Sequence, residues 1–162
     1  MSIRPYQPGD EKHMREYVPR AFGVWARYGI DHTLPRERTD AIYAEEVDGY
    51  AQRAQAGEPG FAVFVAERKG RPMGHIVVEV DEGLSRHYGL KWGRIRSLAV
   101  NPEYHHQGTG TALVEHGMDW LRDQGVEYAE VGTDQNNIAA IRTYEKFGFR
   151  VIYCGVTLSQ RL

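Results

Sequence analysis

The stretch "SLAVNPEYHHQGTGTALVEHGMDWLRDQG", residues 97–125, decides the fold. It leaves an apolar strand end, turns through Asn101 and Pro102, and enters a helix behind Gly108 and Gly110. Backbone N–H groups and the dipole at a helix N-terminus attract anions, and glycines there let a ligand come close. The helix expected near 108–124 carries Leu113, Gly117 and Leu121 on one face, with Val114, Met118 and Trp120 beside them. A phosphate cradle and a plain tight turn both fit the glycine pair. No lysine follows in P-loop register, and Leu113 stands where a dinucleotide fingerprint needs its third glycine, so both of those devices are disfavoured.

Upstream, "SIRPYQ" predicts a short strand closed by Pro8-Gly9, and Asp10 a helix start. Met14, Tyr17 and Val18 keep helical spacing, Pro19 is expected to kink or break the element, and Ala21, Phe22 and Trp25 resume it. The segment 32–40 reads as a polar connector. Thr39 or Asp40 then opens a second helix with Tyr43, Val47, Tyr50 and Ala54 in one stripe. "FAVFVAER" and "RPMGHIVVEV" predict a hairpin across Lys69-Gly70, residues 81–91 a polar loop, and "WGRIRSLAV" a further strand. Downstream, "VEYAEVGT" predicts a strand and "QNNIAAIRTYEKF" a helix closed by Gly148, and "FRVIYCGVTLSQRL" one broken strand or two.

Element order and two motifs together resemble the GNAT family of N-acetyltransferases. The first motif is the stretch quoted above. The second is Asn137, Ala140, Tyr144, Gly148 and Phe149 in "NNIAAIRTYEKFGFR". The likeness is strong from about Arg94 to Arg150. The resemblance implies one α/β domain over 1–162, with a mixed, mostly antiparallel sheet of six to seven strands. Four helices flank that sheet, and strands four and five splay apart.

It also implies acetyl-coenzyme A as donor. The pyrophosphate would rest on the amides of Gln107, Gly108, Thr109, Gly110 and Thr111, and the pantetheine beside Leu98, Ala99 and Val100. Asn137 and Tyr144 would complete the cofactor side. His105 stands where the family places Arg or Gln, His106 where it often has glycine, and Gln107 where it is often basic. The cradle survives these departures, while a neutral His105 gives the pyrophosphate less charge than arginine would.

Acyl transfer to an amine needs a neutral amine, a held oxyanion and a stabilised thiolate. The resemblance places Tyr144 as the general acid. Arg94 and Arg96 fill strand positions where the family often carries Glu or His. Arginine is no base near neutrality, but Arg96 can clamp an acidic group on the acceptor. Glu79 is the first substitute base, with Glu130 and His75 behind it. Trp25 leads the candidate acceptor walls, which include Tyr28, His32, Tyr88 and Trp92. A non-catalytic acyl-CoA-binding or sensing module keeps the same cradle and is the competing reading. A nucleotide-binding domain of another kind is a weaker third.

Composition agrees with a globular protein, at 26% charged and 41% hydrophobic with net charge −2. Such a chain predicts no general affinity for nucleic acid. Lone Cys154 leaves no internal disulfide or cysteine metal cluster, and no metal is expected. No leader or membrane span is read, so the expected place is the cytoplasm. An exposed terminal strand would offer a pairing edge for a homodimer.

Overall fold

The computed structural model describes residues 1–23, 31 and 34–160. Strand β1 (Ser2–Pro5) leads into α1 (Asp10–Phe22) and α2 (Arg36–Gln55). The hairpin β2 (Phe61–Arg68) and β3 (Arg71–Val80) follows, then α3 (Glu82–Tyr88) and β4 (Trp92–Val100). A 3-10 turn (Pro102–Tyr104), α4 (Thr109–Asp123), β5 (Tyr128–Val131) and α5 (Ile138–Glu145) complete the described elements. The strands lie in chain order, antiparallel from β1 to β4, and β5 joins β4 in parallel. At the hairpin turn Lys69 and Gly70 both take positive φ, 52° and 73°, which suits the right-handed twist of the strands it joins.

Each sheet face buries its own cluster. On one face Met14, Tyr17 and Val18 of α1 and Tyr43 and Val47 of α2 cover Val63, Val77 and Ala99. On the other, Leu113, Val114 and Leu121 of α4 and Tyr144 of α5 cover Phe64, Ile76, Val78 and Ile95. Gly117 lets α4 lie close, since a Cβ there would stand 2.7 Å from Ile76 Cδ1. No helix among the described residues is long and apolar enough to cross a membrane.

Four expectations change. Pro19 does not end α1, which runs through it to Phe22 and stops where the Gly23 N–H bonds the Pro19 carbonyl at 2.8 Å. Second, α2 starts at Arg36, because Pro35 suits a helix entrance and Thr39 spends its hydroxyl on the Arg36 carbonyl, 2.8 Å away. Third, the loop 81–91 contains α3. Asp81 caps it by accepting the Leu84 N–H at 2.9 Å, and Gly89 closes it at φ 68°. None of its residues is buried, so no apolar period advertised it.

The fourth change concerns the sheet, in which the described residues form five strands rather than six or seven. Residues 150–160 form none, and Ile152, Tyr153, Val156 and Leu158 are 77–90% exposed. Alternation there reports β propensity, whereas a strand exists only where a neighbouring edge supplies hydrogen bonds. Cys154 is exposed on this segment.

Candidate active site

The cleft begins with a bulge. Val77 pairs with Ser97 but Val78 with Ile95, so Arg96 is an extra residue in β4. A bulge puts two consecutive residues on one face. Arg96 accordingly reaches Glu79 (Nε–Oε1 3.4 Å), and Ser97 reaches His75 (Oγ–Nε2 3.2 Å), both on the side of α1 and α2. Leu98 and Val100 return to the α4 side.

Beyond the bulge the sheet opens. Trp92, Gly93, Arg94 and Ile95 pair with Tyr128 to Val131, and no pairing continues past Ile95. The Asn101 N–H bonds the Met73 carbonyl at 2.8 Å. Hydrogen bonding alternates along an antiparallel ladder, so Ser97 and Ala99 bond to β3 while Leu98 and Val100 turn their amides into the gap. The splay expected between strands four and five is present. A cleft fills it, with Arg96, Ser97 and Leu98 on one wall and Thr133, Asn137 and Tyr144 on the other.

At one end of the gap stands the first turn of α4. Gly108 precedes it at φ 79°, no side chain caps it, and no acidic residue lies in that turn. The other described helices each carry either a side-chain cap or an acid there. Free N–H groups with no competing carboxylate suit a polyanion. A Cβ on Gly110 would stand 3.7 Å from Val100 Cγ2, so this turn abuts the end of β4 and the fold itself leaves room for a side chain. Thr109 is buried with its hydroxyl unpartnered among the described residues. Arg68 reaches across to Gln107 (3.2 Å) and brings the basic charge that position 107 lacks.

The two histidines separate clearly. His105 donates from Nε2 to the Val100 carbonyl at 2.9 Å and so ties the turn to β4. His106 is exposed with φ 60°, a left-handed conformation that explains why glycine suits this place.

At the other end Tyr144 is 6% exposed and lines the cleft. Burial raises its phenol pKa above the usual value, and its ring meets Phe149 edge-on at 5.8 Å. Asn137 caps α5 by accepting the Ala140 N–H at 3.2 Å, which fixes the helix that carries Tyr144.

The substitute bases fare differently. Glu79 lies between Arg53 (3.0 Å) and Arg96 (3.4 Å), and Glu130 pairs with Arg94 at 2.7 Å. His75 is fully buried, and burial pushes its pKa down to about 3. It is therefore not a proton acceptor near neutrality, a correction to its place among the bases. Glu46 of α2 went unnoticed in the sequence. Partial desolvation raises its carboxyl pKa although the residue is exposed, and Arg96 partly opposes the rise. Ser97 was also overlooked, because a lone serine in a strand carries no motif. Of the acceptor walls, Tyr88 and Trp92 stack on each other at 4.9 Å, and Trp92 meets Tyr128 at 4.1 Å. Trp25, Tyr28 and His32 lie outside the described residues. Phe22 and Tyr43 stand in the cleft wall instead.

A family model for the "Acetyltransferase (GNAT) family" matches residues 25–149. The chain belongs to the GNAT family. A mycothiol acetyltransferase of Sanguibacter keddieii is 36% identical over 152 residues, covering 92% of this chain and 43% of that relative. One from Kytococcus sedentarius is 28% identical over 151 residues, covering 92% and 45%. The chain thus spans under half the length of the curated relatives it matches. Among solved structures, the PaiA N-acetyltransferase of Thermoplasma acidophilum in complex with coenzyme A superposes with TM-score 0.73. It is 17% identical, over 93% of this chain and 89% of that one. A putative acetyltransferase of Agrobacterium tumefaciens gives 0.68 at 19% identity, covering 99% and 100%. At such identities the likeness shows a shared fold.

Proposed function

We propose that this GNAT domain transfers an acetyl group from acetyl-CoA directly to a primary amine in a ternary complex. The observation that carries the reading is the gap in the sheet. It has free amides along one wall, an uncapped, acid-free helix start at one end and a buried phenol at the other. Amides of the turn from Gln107 to Thr111 would hold the pyrophosphate, and Leu98 to Val100 would guide the pantetheine as an added strand. The Leu98 amide is a donor for the oxyanion, fixed before reaction begins.

A phenol is protonated at neutral pH, burial keeps Tyr144 so, and its place in the cleft wall makes it the donor to the departing sulfur. Two guanidiniums occupy the Glu79 carboxylate, Arg53 at 3.0 Å and Arg96 at 3.4 Å, so both of its oxygens are already engaged. Its role becomes that of holding Arg96, whose side chain is 39% exposed and free to meet an acidic group on the acceptor. Glu46, whose pKa is raised by partial desolvation and which Arg96 senses, is the proton acceptor we assign on that face, acting through water.

The acceptor class is a small amine or a peptide or protein amine. The test mixes protein, acetyl-CoA and an amine panel and follows free thiol. Turnover that falls about 10- to 1,000-fold in Tyr144→Phe, with thermal stabilisation by CoA intact, supports the reading. Undiminished turnover in that variant removes Tyr144 as the acid. Stabilisation by CoA without turnover on any amine favours the non-catalytic binding module.

A further inference from the structure

Three side chains form a hydrogen-bonded line that the chemistry above leaves unused. The Tyr17 hydroxyl on α1 lies 2.8 Å from Nδ1 of His75 on β3, and Nε2 of His75 lies 3.2 Å from Oγ of Ser97 on β4. Tyr17 and His75 are 1% and 0% exposed, while Ser97 reaches the cleft.

Counting protons fixes the direction of the line. The phenol has one hydrogen, and burial disfavours its ionised form. Among the described residues its hydrogen-bond partner is Nδ1 of His75. A bare Nδ1 accepts that hydrogen. The opposite tautomer would strand it in the core, at a cost of about 1–3 kcal/mol. The neutral ring then carries its own proton on Nε2, which donates to Ser97. Ser97 therefore accepts from the interior and keeps its hydrogen for the cleft.

We propose that Ser97 is a hydrogen-bond donor to the acyl oxygen of the bound thioester, with Tyr17 and His75 as positioning residues that fix its direction. The proposal rests on the acyl-transfer reading above and adds a residue to it. The polarity is opposite to that of a serine hydrolase, where the third group accepts from Nδ1–H and Nε2 takes the serine proton. Here Nε2 gives a proton toward serine, so Ser97 is not activated as a nucleophile and no acyl-serine forms.

The step balances without it. The amine nitrogen bonds the carbonyl carbon while the C=O π pair moves to oxygen, held by the Ser97 hydroxyl and the Leu98 amide. The pair then returns and the C–S bond breaks. Sulfur leaves with the bonding electrons and takes the Tyr144 proton, while the amine proton departs through water toward Glu46. Solvent restores the phenol.

The test uses Ser97→Ala, Tyr17→Phe and the double variant, each checked for folding by circular dichroism. Ser97→Ala is expected to lower kcat about 10- to 100-fold with KM for acetyl-CoA little changed. Tyr17→Phe frees the tautomer and should lower kcat from a site outside the cleft. The double variant should be no slower than Ser97→Ala, because both changes break one line. Additive losses would mark Tyr17 as merely structural and overturn the relay. Nitrogen NMR of the imidazole at neutral pH reads the tautomer without any substrate, and a proton found on Nδ1 also overturns it. Wild-type protein that turns over no amine fails the acetyltransferase reading itself. Wild-type turnover left intact in Ser97→Ala fails this proposal alone.

Discussion

His75 should make this protein sensitive to mild acid. Its folded pKa is pushed down to about 3 by complete burial, against 6.5 in an exposed chain. A depressed folded pKa means that stability is whole above pH 6.5 and drains as pH falls from there toward 3, because only the unfolded chain takes up the proton. Each pH unit in that window costs about 1.4 kcal/mol, so two units, at pH 4.5, cost about 3 kcal/mol. That is a large part of the 5–15 kcal/mol roughly typical of a domain. Asp10, Glu11 and Asp81 have lowered pKa values and also lose stability in acid, so the comparison must cancel them.

Urea unfolding of the wild type and His75→Gln at pH 7.5 and pH 4.5 does so. The wild type should lose about 3 kcal/mol more than the variant between the two pH values. Should the variant fold too poorly for this comparison, the His75 imidazole resonances of folded wild type serve instead and should not titrate between pH 7.5 and 4.5. Equal losses in both proteins, or a His75 imidazole that titrates near 6.5, would refute the reasoning.

Two further predictions concern the turn that leads into α4 and the helix's first residues. Gly110→Ala should leave the melting temperature within a degree or two, since the fold has room for that methyl, yet weaken CoA binding measured by calorimetry at least about tenfold through the lost close approach. Equal CoA affinity in the variant would mean that the turn holds no pyrophosphate. His106→Gly relieves a left-handed φ of 60° and should raise stability by up to about 1 kcal/mol in urea unfolding, with CoA affinity unchanged. A destabilised variant would show that the imidazole makes a contact worth more than that strain.

The central elements were legible because burial stamps a period on them. Tyr43 and Val47 at helical spacing, and the apolar runs of β2 and β3, announce themselves. Helix α3 did not, since capping by Asp81 and Gly89 holds it with no buried face. The tail erred in the opposite direction, with a strand-like pattern but no edge taken. For the site, the glycine turn and Tyr144 could be found because they recur at fixed spacing. Glu46 and Ser97 could not, since their significance comes from neighbours brought close by folding. Ser97 owes its contact to His75, twenty-two residues away. The register of β4 was half-legible, as alternation suggested that Arg94 and Arg96 share a face but gave no sign of the extra residue.

That extra residue has a consequence for how the domain can change. A strand without it would tie every side chain to one strict alternation, so a shift near Arg94 would flip Leu98 and Val100 as well. The bulge acts as a slip joint between the two halves of β4. Acceptor-facing positions before it can be exchanged, or even offset by one residue, while the amides that would line the donor keep their aim. New acceptors can thus be tried by substitution on one side of Ser97 without rebuilding the other.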